Sequence, residues 1–117
     1  MNVKEQVSKI DAIVSQGAIV DAVKEFFAEN VSTSDYSNGG TNGKAEMIAK
    51  MEGFAGSIAK VNGITHHHSI VDGFVSASEF TFDFSMKDGS KIYWHEIIRR
   101  IWNDEGKVIQ EEYFNAQ

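Results

Sequence analysis

Apolar and polar side chains alternate along much of the second half of the chain, residues 64–117. The alternation is cleanest at 79–86, where Phe or Met at every second position is separated by acidic or hydroxyl side chains. A two-residue period is typical of a β-strand with one buried face. Turn sequences at Asp72-Gly73, Asp88-Gly89 and 103–106 divide this half into four segments. We therefore predict four consecutive antiparallel strands.

The first half of the chain has a helical period instead, with apolar residues recurring every three or four positions. Two such stripes, at 3–14 and 18–30, predict two helices whose acidic residues face solvent. The segment 31–37 is short and β-tolerant and predicts one strand. A third helical stripe, at 42–58, starts with Asn42 as a cap and is predicted to end at Asn62-Gly63.

These elements predict a fold of two layers in the order α-α-β-α-β-β-β-β. Helices and sheet each carry an apolar surface that they cannot bury alone, so the three helices are expected to cover one face of a mainly antiparallel sheet. With 117 residues, the chain is expected to be a single α+β domain, 1–117. Large side chains lie on both faces of the segment 92–102, which favours a homodimer formed through the outer sheet face.

Composition narrows the classes of function. The chain has no cysteine, which excludes disulfides and thiolate metal sites. Its 17 acidic and 11 basic side chains give a net charge of −6, the wrong sign for a nucleic-acid partner. No apolar run approaches the ~18 residues of a membrane span, and the first ten residues lack the apolar core of a signal peptide. We expect a cytoplasmic protein with no nucleic-acid or membrane partner.

Three motifs in sequence order resemble a known family. They are Phe26-Phe27-Ala28-Glu29-Asn30-Val31 followed by Asp35, then Asn42-Gly43-Lys44-Ala45-Glu46-Met47-Ile48, and Asn103-Asp104-Glu105-Gly106-Lys107-Val108-Ile109. Together they resemble the nuclear transport factor 2-like superfamily, in its SnoaL-like branch, which includes polyketide cyclases and has the Δ5-3-ketosteroid isomerases as relatives. The resemblance implies a cone-shaped α+β barrel around a mostly apolar pocket for a small molecule, with no cofactor.

The resemblance to the ketosteroid isomerases implies that Asp35 is a general base. Their two oxyanion donors fall on Ile98 and on Asp11 or Ile10, and the loss of each donor would cost ~2.7–4 kcal/mol of transition-state stabilisation. Steroid isomerisation by that mechanism is therefore disfavoured, although a general base could remain. Alternatively, Asp35 is a turn residue that bonds nearby backbone N–H groups, since Ser34, Ser37 and Asn38 flank it.

His66-His67-His68 is the most unusual local feature of the sequence. In a regular strand His66 and His68 share one face. Two imidazoles at this spacing could bind a divalent metal, with Glu96 or Glu79 as a third ligand. We favour the interpretation that these histidines line the pocket or lie on the surface with ordinary hydrogen bonds. A third interpretation is that His68 acts as an acid or base beside Asp35.

Large side chains with polar tips cluster on the third strand of the meander. Trp94 and Trp102 share a face and could stack on a planar ligand, although aromatic residues in a sheet are more often core. Glu96 lies on the same face, as a partner of Arg100 or as an acid with a perturbed pKa, and we favour the pair. Tyr36 is expected to point away from Asp35 unless the chain turns there.

The sequence therefore predicts a protein that binds a small, largely apolar molecule. Asp35 and His68 are the predicted proton carriers of an isomerisation, cyclisation or hydration. The predicted contacts to the ligand are His66, Tyr36, Trp94, Glu96 and Trp102. A ligand-binding or dimerisation module without catalysis remains the first alternative, and a divalent-metal site on the strand of His66 and His68 remains the second.

Overall fold

The computed structural model describes residues 2–36 and 39–117. The elements are α1 (Val3–Ser15), α2 (Ile19–Phe26), β1 (Phe27–Asp35), α3 (Lys44–Gly56), β2 (Ile58–Asp72), β3 (Val75–Met86), β4 (Lys91–Trp102) and β5 (Val108–Asn115). This order confirms the predicted α+β class. Ser37 and Asn38, predicted to flank Asp35 in a turn, lie outside the described residues. Among the helices described, none has the length and apolar character needed to cross a membrane.

The five strands form one curved, open sheet in the order β1-β5-β4-β3-β2. Strands β2 to β5 form the predicted antiparallel meander, and β1 pairs with β5 in parallel. Gly73, Gly89 and Gly106 lie in the three connecting turns with φ values of 60°, 90° and 79°. Glycine adopts this left-handed conformation at little steric cost, which is why the turn sequences located the strand ends correctly.

The boundary between α2 and β1 differs from the prediction. Helix α2 ends at Phe26, and residues 27–30, predicted as its last turn, begin β1. Phe27 pairs with Val108 of β5, and Phe27 and Val31 are both buried. Pairing and burial against a strand distant in sequence therefore override the helical spacing of these apolar residues.

The junction between α3 and β2 was also predicted wrongly. Helix α3 follows Gly43, whose φ is 94°, rather than an Asn42 cap. Strand β2 begins at Ile58 and continues through Asn62-Gly63, which were predicted to end the helix. A shift in the pairing of β2 with β3 between Val61 and Gly63 accommodates these residues. The strand is 15 residues long and reaches much further than the sequence pattern indicated.

The core lies between the helices and the inner face of the sheet. Every second residue of β3 faces inward, so its predicted phenylalanine stripe is buried. Trp102 of β4 packs edge-on against Phe26 of α2, with ring centroids 6.2 Å apart. The other buried apolar residues are Val7, Ile10, Val14, Ala22, Val23, Phe27, Val31, Met47, Ile98 and Val108. This core leaves space between the two layers, and the functional candidates surround that space.

Candidate functional site

A cavity of about 300 Å³ lies between the helices and the inner face of the sheet. Its apolar wall is formed by Ile10, Val14, Ile19, Ala22, Val23, Phe27, Met51, Phe54, Phe82, Phe84, Trp94 and Ile98. The polar side chains that line it are Asp35, Tyr36, Lys50, Glu96, Arg100, Glu111 and Tyr113. A mostly apolar hollow of this size with a few polar groups is typical of small-molecule sites.

Glu96 is the buried acid of the cavity. It lies on the inward face of β4, is 5% exposed, and accepts a hydrogen bond from the Tyr36 hydroxyl. Burial raises the pKa of Glu96, because the charged carboxylate loses solvation. The nearby charges of Asp35 and Glu111 also raise this pKa, while the bond from Tyr36 lowers it. The result is a carboxyl group held closer to its neutral form than an exposed glutamate.

Tyr36 reaches Glu96 because the chain turns directly after β1. Its φ is +52°, a left-handed conformation that is uncommon outside glycine, and its backbone N–H bonds to the carbonyl oxygen of Tyr113. Asp35 and Tyr36 therefore both line the cavity, because the chain turns at Tyr36, the condition under which the sequence allowed both to do so. Burial and the hydrogen bond to Glu96 raise the pKa of the Tyr36 hydroxyl, so it stays protonated and acts as a donor.

Asp35 lies at the more exposed part of the cavity lining. Its carboxylate accepts a hydrogen bond from Lys50 of α3, with 2.7 Å between Oδ2 and Nζ, and the two side chains are 42% and 34% exposed. A partly hydrated ion pair of this kind is weak. The structure thus places Asp35 on the cavity, as expected, while its role as a general base stays a prediction.

A buried charge network forms one wall of the cavity. Arg100 is 1% exposed and donates to Asp11 Oδ1 from Nη1 and to Glu111 Oε2 from Nε, both at 2.9 Å. Burial opposes the charge of Arg100, but the two carboxylates more than offset it and raise its pKa. Tyr113 donates to the other oxygen of Glu111. The predicted pairing of Arg100 with Glu96 was therefore wrong, because two other carboxylates take up the guanidinium.

The three histidines do not have the predicted arrangement. Between His66 and His68 the pairing with β3 shifts, so His66 lies opposite Phe80 and His68 opposite Glu79. A β-bulge inserts one extra residue and reverses the alternation of faces beyond it. His66 stacks on Phe80 on the inner face, with centroids 4.8 Å apart. His68 contacts Glu79 on the outer face, with Nε2 3.1 Å from Oε1.

This bulge corrects two expectations. His68 has a side chain that is 72% exposed and does not line the cavity, so it cannot act beside Asp35 as predicted. His66 is also outside the cavity lining and bonds through Nε2 to Ser69 Oγ at 2.7 Å. A metal site built on His66 and His68 together is excluded, because their imidazoles lie on opposite faces of the sheet.

The two tryptophans have different environments. Trp94 lines the cavity and stacks on Phe54 of α3, with centroids 5.6 Å apart and planes 15° apart. Trp102 is 1% exposed, and its indole N–H donates to Ser76 Oγ at 2.9 Å. The prediction that Trp102 contacts a ligand was therefore wrong, because it is a core residue with a satisfied polar atom. Trp94 remains a candidate for stacking on a ligand.

Sequence reasoning missed four residues around the cavity: Asp11, Lys50, Glu111 and Tyr113. Asp11 was assigned to a solvent-facing helix surface, yet it is 1% exposed. Asp11 directly follows Ile10 within the apolar stripe of α1, and this position could have indicated that its side chain is buried. Lys50 pairs with Asp35 and Glu111 with Arg100, contacts that no local pattern reveals. Tyr113 bonds to Glu111, two residues before it on the same strand.

Comparison with known proteins gives matches to solved structures. No protein-family model and no curated protein sequence matches the chain. A protein from Mesorhizobium loti, named as a SnoaL-like polyketide cyclase, is 20% identical with a TM-score of 0.86, covering 97% of this chain and 99% of that one. An NTF2-like protein of unknown function from Burkholderia pseudomallei is 15% identical, with a TM-score of 0.80 and coverages of 99% and 92%.

A third similar structure contains a small molecule. It is a hypothetical protein with a ketosteroid isomerase-like fold from Catenulispora acidiphila, in complex with trimethylamine. It is 13% identical with a TM-score of 0.76, and the match covers 96% of this chain and 85% of that one. Identities this low show the fold alone. The predicted resemblance to nuclear transport factor 2-like and SnoaL-like structures is thus confirmed at the level of fold.

Proposed function

We propose that this chain, which has the nuclear transport factor 2-like fold, binds a small, largely apolar molecule in its cavity and moves a proton on it with Glu96. The observation that carries the proposal is the hydrogen-bonded pair of Glu96 and Tyr36 inside an apolar wall. A carboxyl group with a raised pKa beside a phenol is a suitable acid–base pair, since an acid–base catalyst works best when its pKa lies near the working pH and burial shifts the pKa of Glu96 in that direction.

The proposed chemistry is proton transfer next to a carbonyl group. The Glu96 carboxylate takes a proton from the carbon beside the carbonyl, and the electron pair of that bond forms an enolate. Once Glu96 has taken the proton, the Tyr36 hydroxyl shifts its one hydrogen bond from Glu96 to the enolate oxygen, where negative charge develops. Where a carbon–carbon double bond of the substrate is conjugated with the enolate, that double bond moves as the proton returns to its far carbon, which completes an isomerisation. The sequence predicted His68 as a proton carrier. Because His68 lies on the outer face, we assign that role to Glu96 instead.

Two further side chains would contribute to binding. Trp94, parallel to Phe54, presents an aromatic surface for a planar ligand. Lys50 and Asp35 form an ion pair beside the cavity and would contact the polar end of the ligand. These contacts support a ligand with one apolar ring system and one carbonyl or hydroxyl group.

The test is proton exchange on a model ketone. The bicyclic ketone 2-tetralone, dissolved in D₂O, exchanges the hydrogens beside its carbonyl for deuterium, and NMR follows the loss of their signal. We expect the protein to accelerate this exchange and Glu96→Gln to lower the acceleration by about 10²–10⁴-fold, the usual contribution of a general base. Glu105→Gln, in an exposed turn, makes the same charge change and is the control.

Two outcomes of this test would oppose the proposal. Exchange that Glu96→Gln leaves unchanged would place the proton transfer elsewhere. Binding of 2-tetralone without acceleration by the unaltered protein would favour the ligand-binding module without catalysis.

The homodimer and the cytoplasmic location stay predictions. Tyr93, on the outward face of β4, is 61% exposed, and this exposure supports a covering partner for the outer face. Light scattering on the purified protein would test the dimer, since the single chain has a mass of 13.0 kDa.

A further inference from the structure

A cluster of metal-binding side chains lies on the outer face of the sheet, opposite the cavity. His67, Glu79 and His95 each offer a ligand atom, and these atoms all lie within 4.8 Å of one another. Glu79 Oε2 is 2.5 Å from His95 Nε2, and the rings of His67 and His95 have centroids 5.3 Å apart. The cluster therefore combines three strands, β2, β3 and β4, on one surface.

The β-bulge in β2 creates this cluster. A regular strand would place His67 and His68 on opposite faces, but the bulge brings both to the outer face. There His67 reaches Thr81 Oγ1 at 2.7 Å and lies beside His95, while His68 Nε2 lies 3.1 Å from Glu79 Oε1. The histidine run thus supplies two imidazoles to the same surface, and β4 supplies the third.

We propose that His67, Glu79 and His95 bind a divalent transition-metal ion of the zinc class, with His68 able to complete the coordination. Imidazole-rich sites with one carboxylate suit zinc, copper and nickel rather than calcium or magnesium, which prefer oxygen ligands. Zinc is bound at about 2.0–2.2 Å in a tetrahedral arrangement, so its ligand atoms lie roughly 3.3 Å apart. Glu79 and His95 would therefore move apart from 2.5 Å on binding the ion, and any pair spaced near the 4.8 Å limit would move closer together.

Charge and access agree with a cation site. The chain has a net charge of −6, which favours cation binding. Glu79 and His95 have side chains that are 20% and 27% exposed, so the two ligands are held within the sheet surface. The third and fourth candidates lie on β2, an edge strand, where the side chain of His68 is 72% exposed. A hydrated ion can therefore enter from the edge of the sheet.

The test is metal binding by the full chain, prepared without a histidine tag and treated with EDTA. Calorimetric titration with ZnCl₂ should show one ion per chain, and cobalt(II) should give the visible absorption of a four-coordinate site. His67→Ala removes an exposed ligand and Glu79→Gln preserves side-chain shape, so both should fold, as circular dichroism would verify. We expect each to lower the affinity for zinc by about tenfold or more.

His66→Ala is the matched control, because His66 is adjacent in sequence but lies on the inner face. It should bind zinc as tightly as the unaltered chain. The proposal is overturned if the unaltered chain does not bind zinc, or if His66→Ala weakens binding as much as His67→Ala. Neither result depends on the cavity, so the outcome is independent of the proposed proton transfer.

Discussion

The hydroxyl of Tyr36 donates a hydrogen bond to the carboxylate of Glu96, which lies 60 residues further along the chain. Strand β5 lies between β1 and β4 in the sheet, so the two side chains meet across an intervening strand. The bond joins the first turn after β1 to the middle of β4 and places a phenol against a buried carboxyl group. Removing this hydrogen bond should change the pKa of Glu96 without changing the apolar side chains around it.

Tyr36→Phe should raise the pKa of Glu96. The bond from Tyr36 stabilises the carboxylate, whereas burial and the neighbouring Asp35 and Glu111 disfavour it, so removing the bond leaves the raising causes unopposed. NMR titration of the Glu96 carboxyl carbon would measure this pKa. Tyr93→Phe, on the exposed outer face of β4, is the control and should leave it unchanged. An unchanged or lower pKa in Tyr36→Phe would contradict the assignment.

Glu96→Gln should make the protein more stable than the unaltered chain at alkaline pH. The pKa of Glu96 is higher in the folded state than in the unfolded state, so its stabilising contribution is complete below the unfolded pKa. That contribution is lost as pH rises through the folded pKa, and glutamine has no such loss. The carboxylates of Glu111 and Asp11 raise the pKa of the buried Arg100, so this cation stays charged throughout the range.

Urea unfolding at a series of pH values would measure this difference. The gap between Glu96→Gln and the unaltered chain should widen as pH rises. A gap that does not vary with pH would show that Glu96 carries no buried charge.

Arg100→Leu should lower the free energy of unfolding by about 3–5 kcal/mol, because it leaves the carboxylates of Asp11 and Glu111 buried without their cation. Arg99→Leu is the control. Arg99 is the neighbouring residue on the outer face, and its pair with Glu112 is 39% and 24% exposed, so its loss should cost about 1 kcal/mol or less. Urea unfolding of both variants at neutral pH would measure the two costs, and similar values would contradict the network's buried character.

Gly40→Ala should destabilise the loop between β1 and α3. A Cβ atom at residue 40 would overlap the carbonyl oxygen of Thr33, so the backbone would have to move. We expect a cost of about 1–3 kcal/mol, the usual range for overpacking. Gly39→Ala, where nothing lies within 4 Å of the added atom, should cost much less. Thermal unfolding of the pair would reveal the difference, and equal midpoints would argue against this close approach.

Local chemistry made the order of the elements predictable. The alternating phenylalanines of β3 and the glycine turns after Asp72 and Asp88 determine strand positions through interactions between near neighbours. The ends of α2 and β2 were not predictable in this way. Phe27 has a helical spacing from Val23, and its pairing with Val108 decides its conformation.

The site was predictable in part for the same reason. Tyr36, Glu96 and Trp94 were identified by residue type and do line the cavity. The bulge at His67 was not foreseen, and this single inserted residue places His66 and His68 on opposite faces of the sheet. Partners such as Asp11 for Arg100 depend on how α1 packs on the sheet, which periodicity does not specify.

The parallel pairing of β1 with β5 has a consequence for the order of assembly. During synthesis β1 emerges early, but its neighbour in the sheet is the last strand of the fold. Contacts between segments this far apart in sequence form slowly, because a long loop must close first. Asp35 and Tyr36 can therefore take their places only after the ribosome has released residues 108–115, and a nascent chain stopped before them would have no acid–base pair.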